Sequence, residues 1–153
     1  MTRWQAGEAV VEQLIRAREL QVVTGSAADG GPGMARSRQT LASAHVLLPG
    51  DHANAFVLAY DAVRQACTAL LAHQGLRPTS AGGHVAVERV VRAQFGDAFA
   101  AYGGLRRRRN EVEYPAHPDE TVDAEETADA VRVAADLIAA AEKLMPHLGQ
   151  FAH

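Results

Sequence analysis

The sequence predicts an all-α fold, an antiparallel bundle of four to five helices, and three observations carry that expectation. Apolar residues make up 48% of the chain but aromatics only 5%, so the core must be assembled from Ala, Val and Leu. Such a core suits closely packed helices better than a sheet. Apolar positions recur three and four residues apart along most of the length, and nothing strand-like stands out beyond short apolar runs. At 153 residues the chain reads as one domain, 1–153, long enough to bury a substantial core.

Thr2 and Gln5 have the spacing of a capping box, and Val10, Val11, Leu14, Ile15 and Leu20 extend a first helix from Trp4 to about Val23. The glycine-rich run from Gly25 to Gly33 predicts a flexible loop, residues 25–35. No Lys-Ser/Thr pair follows its glycines, which removes the phosphate-loop reading. A modest second helix covers Arg36–Leu47, and Pro49-Gly50 ends it. Asp51 is a good N-cap for a third helix, His52 to about Gln74, with Phe56, Tyr60, Val63, Cys67, Leu70 and Leu71 in helical rhythm. Gly75 to Gly83 reads as a second loop. A helix then runs from Gly83 to Glu113, with a bend or restart at Gly96-Asp97 and a kink at Gly103-Gly104 as its weak points. Pro115 and Pro118 bracket an extended connection. Thr121 or Asp123 caps the last helix, whose apolar face includes Val131, Ala134, Ile138 and Ala141; Glu125 and Glu126 suit its N-terminus.

The net charge of −3 gives no overall attraction to nucleic acid or membrane, so any anion site must be local. Lys143 is the only lysine; the other basic side chains are arginines, which weakens arguments from arginine number but not from arginine position. Cys67 is the only cysteine and reads as a small core residue. His45, His52, His73, His84, His147 and His153 form no metal-ligand spacing, so neither a metal nor a cofactor is expected. With no leader-like segment over residues 1–23 and no long apolar run, the expectation is a cytoplasmic protein without membrane association.

The stretch with the most chemistry is Leu105–Pro115, LRRRRNEVEYP. At roughly 100° per residue, Phe95, Ala98, Tyr102, Leu105 and Val112 share an apolar arc. Arg109 falls near its middle, while Arg107 and Arg108 do not, and Arg106, Asn110 and Glu113 line its polar edge. A charge on a core-facing stripe must be paired or must line a cleft or an interface. Pairing of Arg109 with Glu113, one turn away, is the plain alternative to a phosphate contact. For Arg106, Arg107 and Arg108 the plain alternative is a solvated edge paired with Asn110 and Glu111.

The order of these parts resembles the HEPN superfamily over about residues 51–145. The likeness rests on a long helix with Tyr-Asp-Ala-Val-Arg, a Gly-Leu-Arg-Pro turn, the Arg-Asn-Glu-Val-Glu-Tyr-Pro helix and a closing helix. In active members an arginine and a polar residue precede a histidine. Here Arg109 and Asn110 match the first two positions, and Tyr114 stands where the histidine would be. The resemblance implies a homodimer whose motif residues face each other across an inter-protomer groove that binds RNA or nucleotide phosphate. It also implies a role in a toxin–antitoxin or phage-defence system, with a nucleotidyltransferase as a common partner.

Family activity is metal-independent RNA cleavage. Tyrosine titrates near 10 and histidine near 6.5, so an ordinary Tyr114 is a poor general base. The expectation is therefore a site that keeps binding, through Arg106, Arg109, Asn110 and Tyr114, with catalysis weakened or lost. An active endoribonuclease is the alternative and needs Tyr114 or His117 as proton carrier beside Arg109. A helical interaction module for a nucleotidyltransferase is the third reading.

Overall fold

The computed structural model describes residues 2–151; His153 lies outside them. Six α-helices and one two-stranded ribbon follow in the order α1 (Glu8–Arg16), β1 (Leu20–Val22), α2 (Gly31–Leu47), α3 (His52–His73), β2 (Leu76–Pro78), α4 (Gly83–Phe95), α5 (Ala101–Glu113) and α6 (Ala124–Leu144). The helical class agrees with the composition. The ribbon is an addition that the sequence pattern did not announce.

Helix α3 is central. The Asp51 carboxylate accepts the Asn54 N–H at 3.2 Å, capping the first turn as expected. Its alanines Ala55, Ala59, Ala62, Ala66 and Ala69 are buried, and α2, α4, α5 and α6 all pack on it. By length and composition α3 could cross a membrane, but 61% of its most apolar window is buried inside the fold.

The glycine-rich segment before α2 is ordered, contrary to the flexible loop expected there. Gly25–Ala28 forms a 3-10 turn, and α2 begins at Gly31 with Pro32 in its first turn. A Cβ on Gly30 would lie 2.4 Å from the Ala69 carbonyl oxygen, so glycine is there to let two backbones meet. The buried Ser37 hydroxyl then donates to the Ala62 carbonyl at 2.8 Å, and Arg38 pairs with Glu142 on α6.

The first helix is shorter than its hydrophobic rhythm implied. Gly7, in the left-handed region, sits at its N-cap without a side-chain hydrogen bond, so the Thr2–Gln5 capping box does not form. At the other end Arg18 adopts φ 60, and Leu20–Val22 turns into strand β1. Leu20 opposes Pro78 and Val22 opposes Leu76 in an antiparallel ladder. Bonds from Val23 N–H to the Gly75 carbonyl (2.8 Å) and from Thr79 N–H to the Glu19 carbonyl (3.0 Å) extend it. The β-branched run Val22-Val23-Thr24 favours strand over helix, and burial of Leu20 and Leu76 fixes the register.

The helix expected over residues 83–113 restarts at Gly96-Asp97, as that weak point allowed, and forms two helices. Gly96, at φ 61 and ψ −133, stops α4, and a 3-10 turn over Gly96–Phe99 leads into α5. This break buries Phe99 against Phe95 and exposes Ala98, a correction to the single apolar arc that included Ala98. No break occurs at Gly103-Gly104, where Gly103 is buried in mid-helix. Of the two candidate caps for α6, Asp123 is used: its carboxylate accepts the Glu126 N–H at 2.8 Å.

Replacing Gly30 with alanine should force α2 off α3 and cost about 1–3 kcal/mol. Thermal melts should show Tm falling by roughly 3–10 °C. Gly50→Ala, where an added Cβ meets nothing within 4 Å, should leave Tm nearly unchanged.

Candidate functional site

The arginine run on α5 separates into four different environments. Arg107 points to solvent. Arg108 is held by Glu126 of α6 at 2.6 Å and Glu111 at 2.9 Å, and hydrogen bonding to Glu126 raises its pKa further. Arg106 pairs at 2.8 Å with Glu88, which is itself buried on α4. Arg109 pairs with Glu113 at 3.2 Å and reaches the Asn110 side-chain oxygen at 3.4 Å. The basic edge is thus paired with Glu88, Glu111 and Glu126, not with Asn110.

Arg109 meets both readings made of it. The Glu113 pair exists, and the side chain is 26% exposed, so it is neither free nor buried. Its guanidinium carbon lies 5.9 Å from the Tyr60 ring centroid, within range of a cation–π contact. Its Nε is buried with no hydrogen-bond partner among the described residues. Because a guanidinium carries five N–H donors in a fixed fork, one carboxylate does not exhaust it.

Arg106, Arg109 and Asn110 line one open cavity of about 490 Å³, together with Tyr60, Asp61 and Arg64 of α3 and Gly82, Gly83, His84 and Val85 at the start of α4. Three arginines from two helices therefore face one space, with Asp61 as the only carboxylate in the wall. Asp61 stands 3.7 Å from Arg64, a loose pair. Gly82, the N-cap of α4, has no side chain to cap it, and Thr79 takes the first N–H groups: Gly82 N–H donates to its Oγ1 at 3.2 Å and Gly83 N–H to its carbonyl at 2.9 Å. The positive end of the α4 dipole adds to the cationic character of the cavity.

Tyr114 and His117 are not in this cavity. Tyr114 caps α5 with its side chain 75% exposed, and His117 sits in an exposed turn where its carbonyl accepts the Glu120 N–H at 3.1 Å. The residues that sequence reasoning missed are Tyr60, Arg64 and His84. Tyr60 and Arg64 stand one turn apart on α3 in the Tyr-Asp-Ala-Val-Arg segment, where polar groups interrupt an otherwise apolar helix. That interruption was a signal for a lined cleft. Nothing in the sequence announced that the Gly82-Gly83 turn would bring His84 beside them.

Burial raises the pKa of the Tyr60 hydroxyl, against a lowering by Arg64, Arg106 and Arg109. Partial burial lowers the pKa of His84; Arg64 and Arg109 act in the same direction and Asp61 opposes them. At neutral pH His84 is thus an uncharged imidazole among cations. A second hollow of about 530 Å³ lies between the N-termini of α3 and α6, but Asp51, Glu111, Glu120 and Asp123 line it and its one arginine, Arg108, is already doubly paired. Comparison of the chain with protein-family models, with curated proteins and with solved structures returns no match.

Because the folded state lowers the His84 pKa, the unfolded chain binds its proton first on acidification. This contribution favours folding above the ordinary histidine value of about 6.5 and is lost as pH falls through the folded value. An NMR titration should find His84 below its ordinary value, and Arg64→Gln or Arg109→Gln should move it back upward.

Proposed function

We propose that this chain is an HEPN-like helical domain that binds a phosphate group of RNA or of a nucleotide in the cavity between α3, α5 and the N-terminus of α4. Arg109 is its main anion ligand, with Arg64, Arg106 and Asn110 beside it. The observation that carries this reading is the convergence of three arginines and the N-terminus of α4 on one cavity. Arginine forks match phosphate geometry, and the helix dipole favours an anion at the same place. In this reading two copies pair with their α5 helices facing, so that the exposed Tyr114 closes the groove from the partner's side. The biological setting is a toxin–antitoxin or phage-defence system.

His84 favours a second reading, in which the site is a working metal-independent endoribonuclease. Tyr114 does not line the cavity within one protomer, whereas His84 does. Its neutral imidazole would take the proton of a ribose 2′-hydroxyl as that oxygen attacks phosphorus. The bond to the 5′-oxygen breaks, leaving a 2′,3′-cyclic phosphate, and the departing oxygen takes a proton from water.

Retardation and cleavage of end-labelled total RNA in EDTA separate these readings. Arg109→Ala should weaken binding about 10–100-fold, the worth of one charge-assisted contact. Undiminished binding in that variant would sink the phosphate reading. Cleavage by the wild type that disappears in His84→Ala, with binding retained, would establish the ribonuclease. Light scattering tests the paired groove: a monomer at micromolar concentration rules it out.

A further inference from the structure

We propose that the phosphate site is one half of a continuous groove whose second half, built on Arg89 and Arg92, takes a neighbouring phosphate, so that the ligand is a single-stranded RNA segment and not a mononucleotide. This rests on the phosphate reading of the first half. A second open cavity, of about 500 Å³, is lined by Val10, Glu88, Arg89, Arg92, Ala93, Gly96 and Asp97, and it shares Val85 and Arg106 with the first. The two cavities therefore meet along α4.

Val85, Arg89 and Arg92 stand four and three residues apart, which places them on one face of α4 over two turns. The stripe spans about 11 Å, more than one phosphate group can bridge. Arg92 makes no ion pair among the described residues, and Arg89 reaches Glu19 only at 3.8 Å with its side chain 45% exposed. Both have donors to give. Two carboxylates also line this half. Glu88 is spent on Arg106 and tucked against Gly103, where an added Cβ would come within 2.5 Å of its oxygen. Asp97 remains at the mouth, in the turn that follows α4.

Between the two basic clusters stands Val85, 54% exposed, one of the few large apolar side chains on the surface. The groove thus reads cationic, apolar, cationic. That alternation fits phosphate, sugar and base, then phosphate. Arginine forks pair with carboxylates as well as phosphates, so an acidic peptide is the rival occupant that the experiment must exclude; a polyglutamate chain leaves Val85 unused.

The test compares a fluorescein-labelled single-stranded RNA of about ten nucleotides with adenosine monophosphate, against wild type, Arg89→Gln/Arg92→Gln and Arg109→Gln. Arg132→Gln/Lys143→Gln on α6, outside both cavities, matches the charge change. The Arg89→Gln/Arg92→Gln variant should lose about tenfold or more in RNA affinity and keep its affinity for the mononucleotide. Its slope of log affinity against log salt should fall by about 1.4, two contacts on a single strand. The charge-matched variant should do neither.

RNA affinity unchanged in Arg89→Gln/Arg92→Gln, or reduced no more than in the charge-matched control, overturns the inference. Equal displacement of the RNA by polyglutamate also overturns it, in favour of an acidic peptide. Mononucleotide binding that depends on Arg109, with no RNA binding, overturns it while leaving the phosphate site standing. Binding of neither overturns both.

Discussion

The packing of α2, α4, α5 and α6 around α3 is the constraint on which the rest depends. A helix with alanine at Ala55, Ala59, Ala62, Ala66 and Ala69 offers little bulk, so its neighbours must come close to leave no void. That closeness explains the glycine at Gly30 and the bond from the Ser37 hydroxyl to the Ala62 carbonyl. Polar side chains on α3 lie beside α2, where Gln65 and Thr68 line a smaller hollow, and along its boundary with α4 and α5. Tyr60, Asp61 and Arg64 occupy that boundary, and there the cavity opens.

At the boundary the Arg106–Glu88 pair holds α5 to α4 across the break at Gly96. Glu88 is 8% exposed, a place where an unpaired carboxylate would be expensive. The pair therefore fixes the relative placement of the two helices more than it adds net stability. Because Arg106 borders both cavities, this geometry also sets how the cationic groups of one half stand relative to those of the other.

Much of the helical layout was legible in the sequence because periodicity and caps report on local structure. Asp51 and the three-and-four rhythm from Phe56 to Leu71 define α3 without further help. What was not legible depends on partners distant in the chain. Leu20 fits a helical rhythm, yet it is claimed by a strand whose partner strand, Leu76–Pro78, is two helices away. The glycines of residues 25–33 look like slack until Ala69 is placed against Gly30. For the site, placing Arg109, Asn110 and Arg106 on neighbouring faces needed only the helical angle. The contribution of Arg64 and His84 needed the packing of three helices. Tyr114 was singled out by its spacing from Arg109, but α5 ends just before it, and its side chain faces solvent.

The β1–β2 ribbon has a kinetic consequence. It joins segments separated by α2 and α3, so its ladder closes at lower entropic cost once those two helices have paired and shortened the loop between them. Helix α1 is carried on that ribbon and otherwise packs mainly on α4. A path that closes the shorter loops first docks the N-terminal segment late. Since Val10 of α1 borders the Arg89–Arg92 half of the groove, a local opening there would widen that half while leaving the cavity around Arg109 intact.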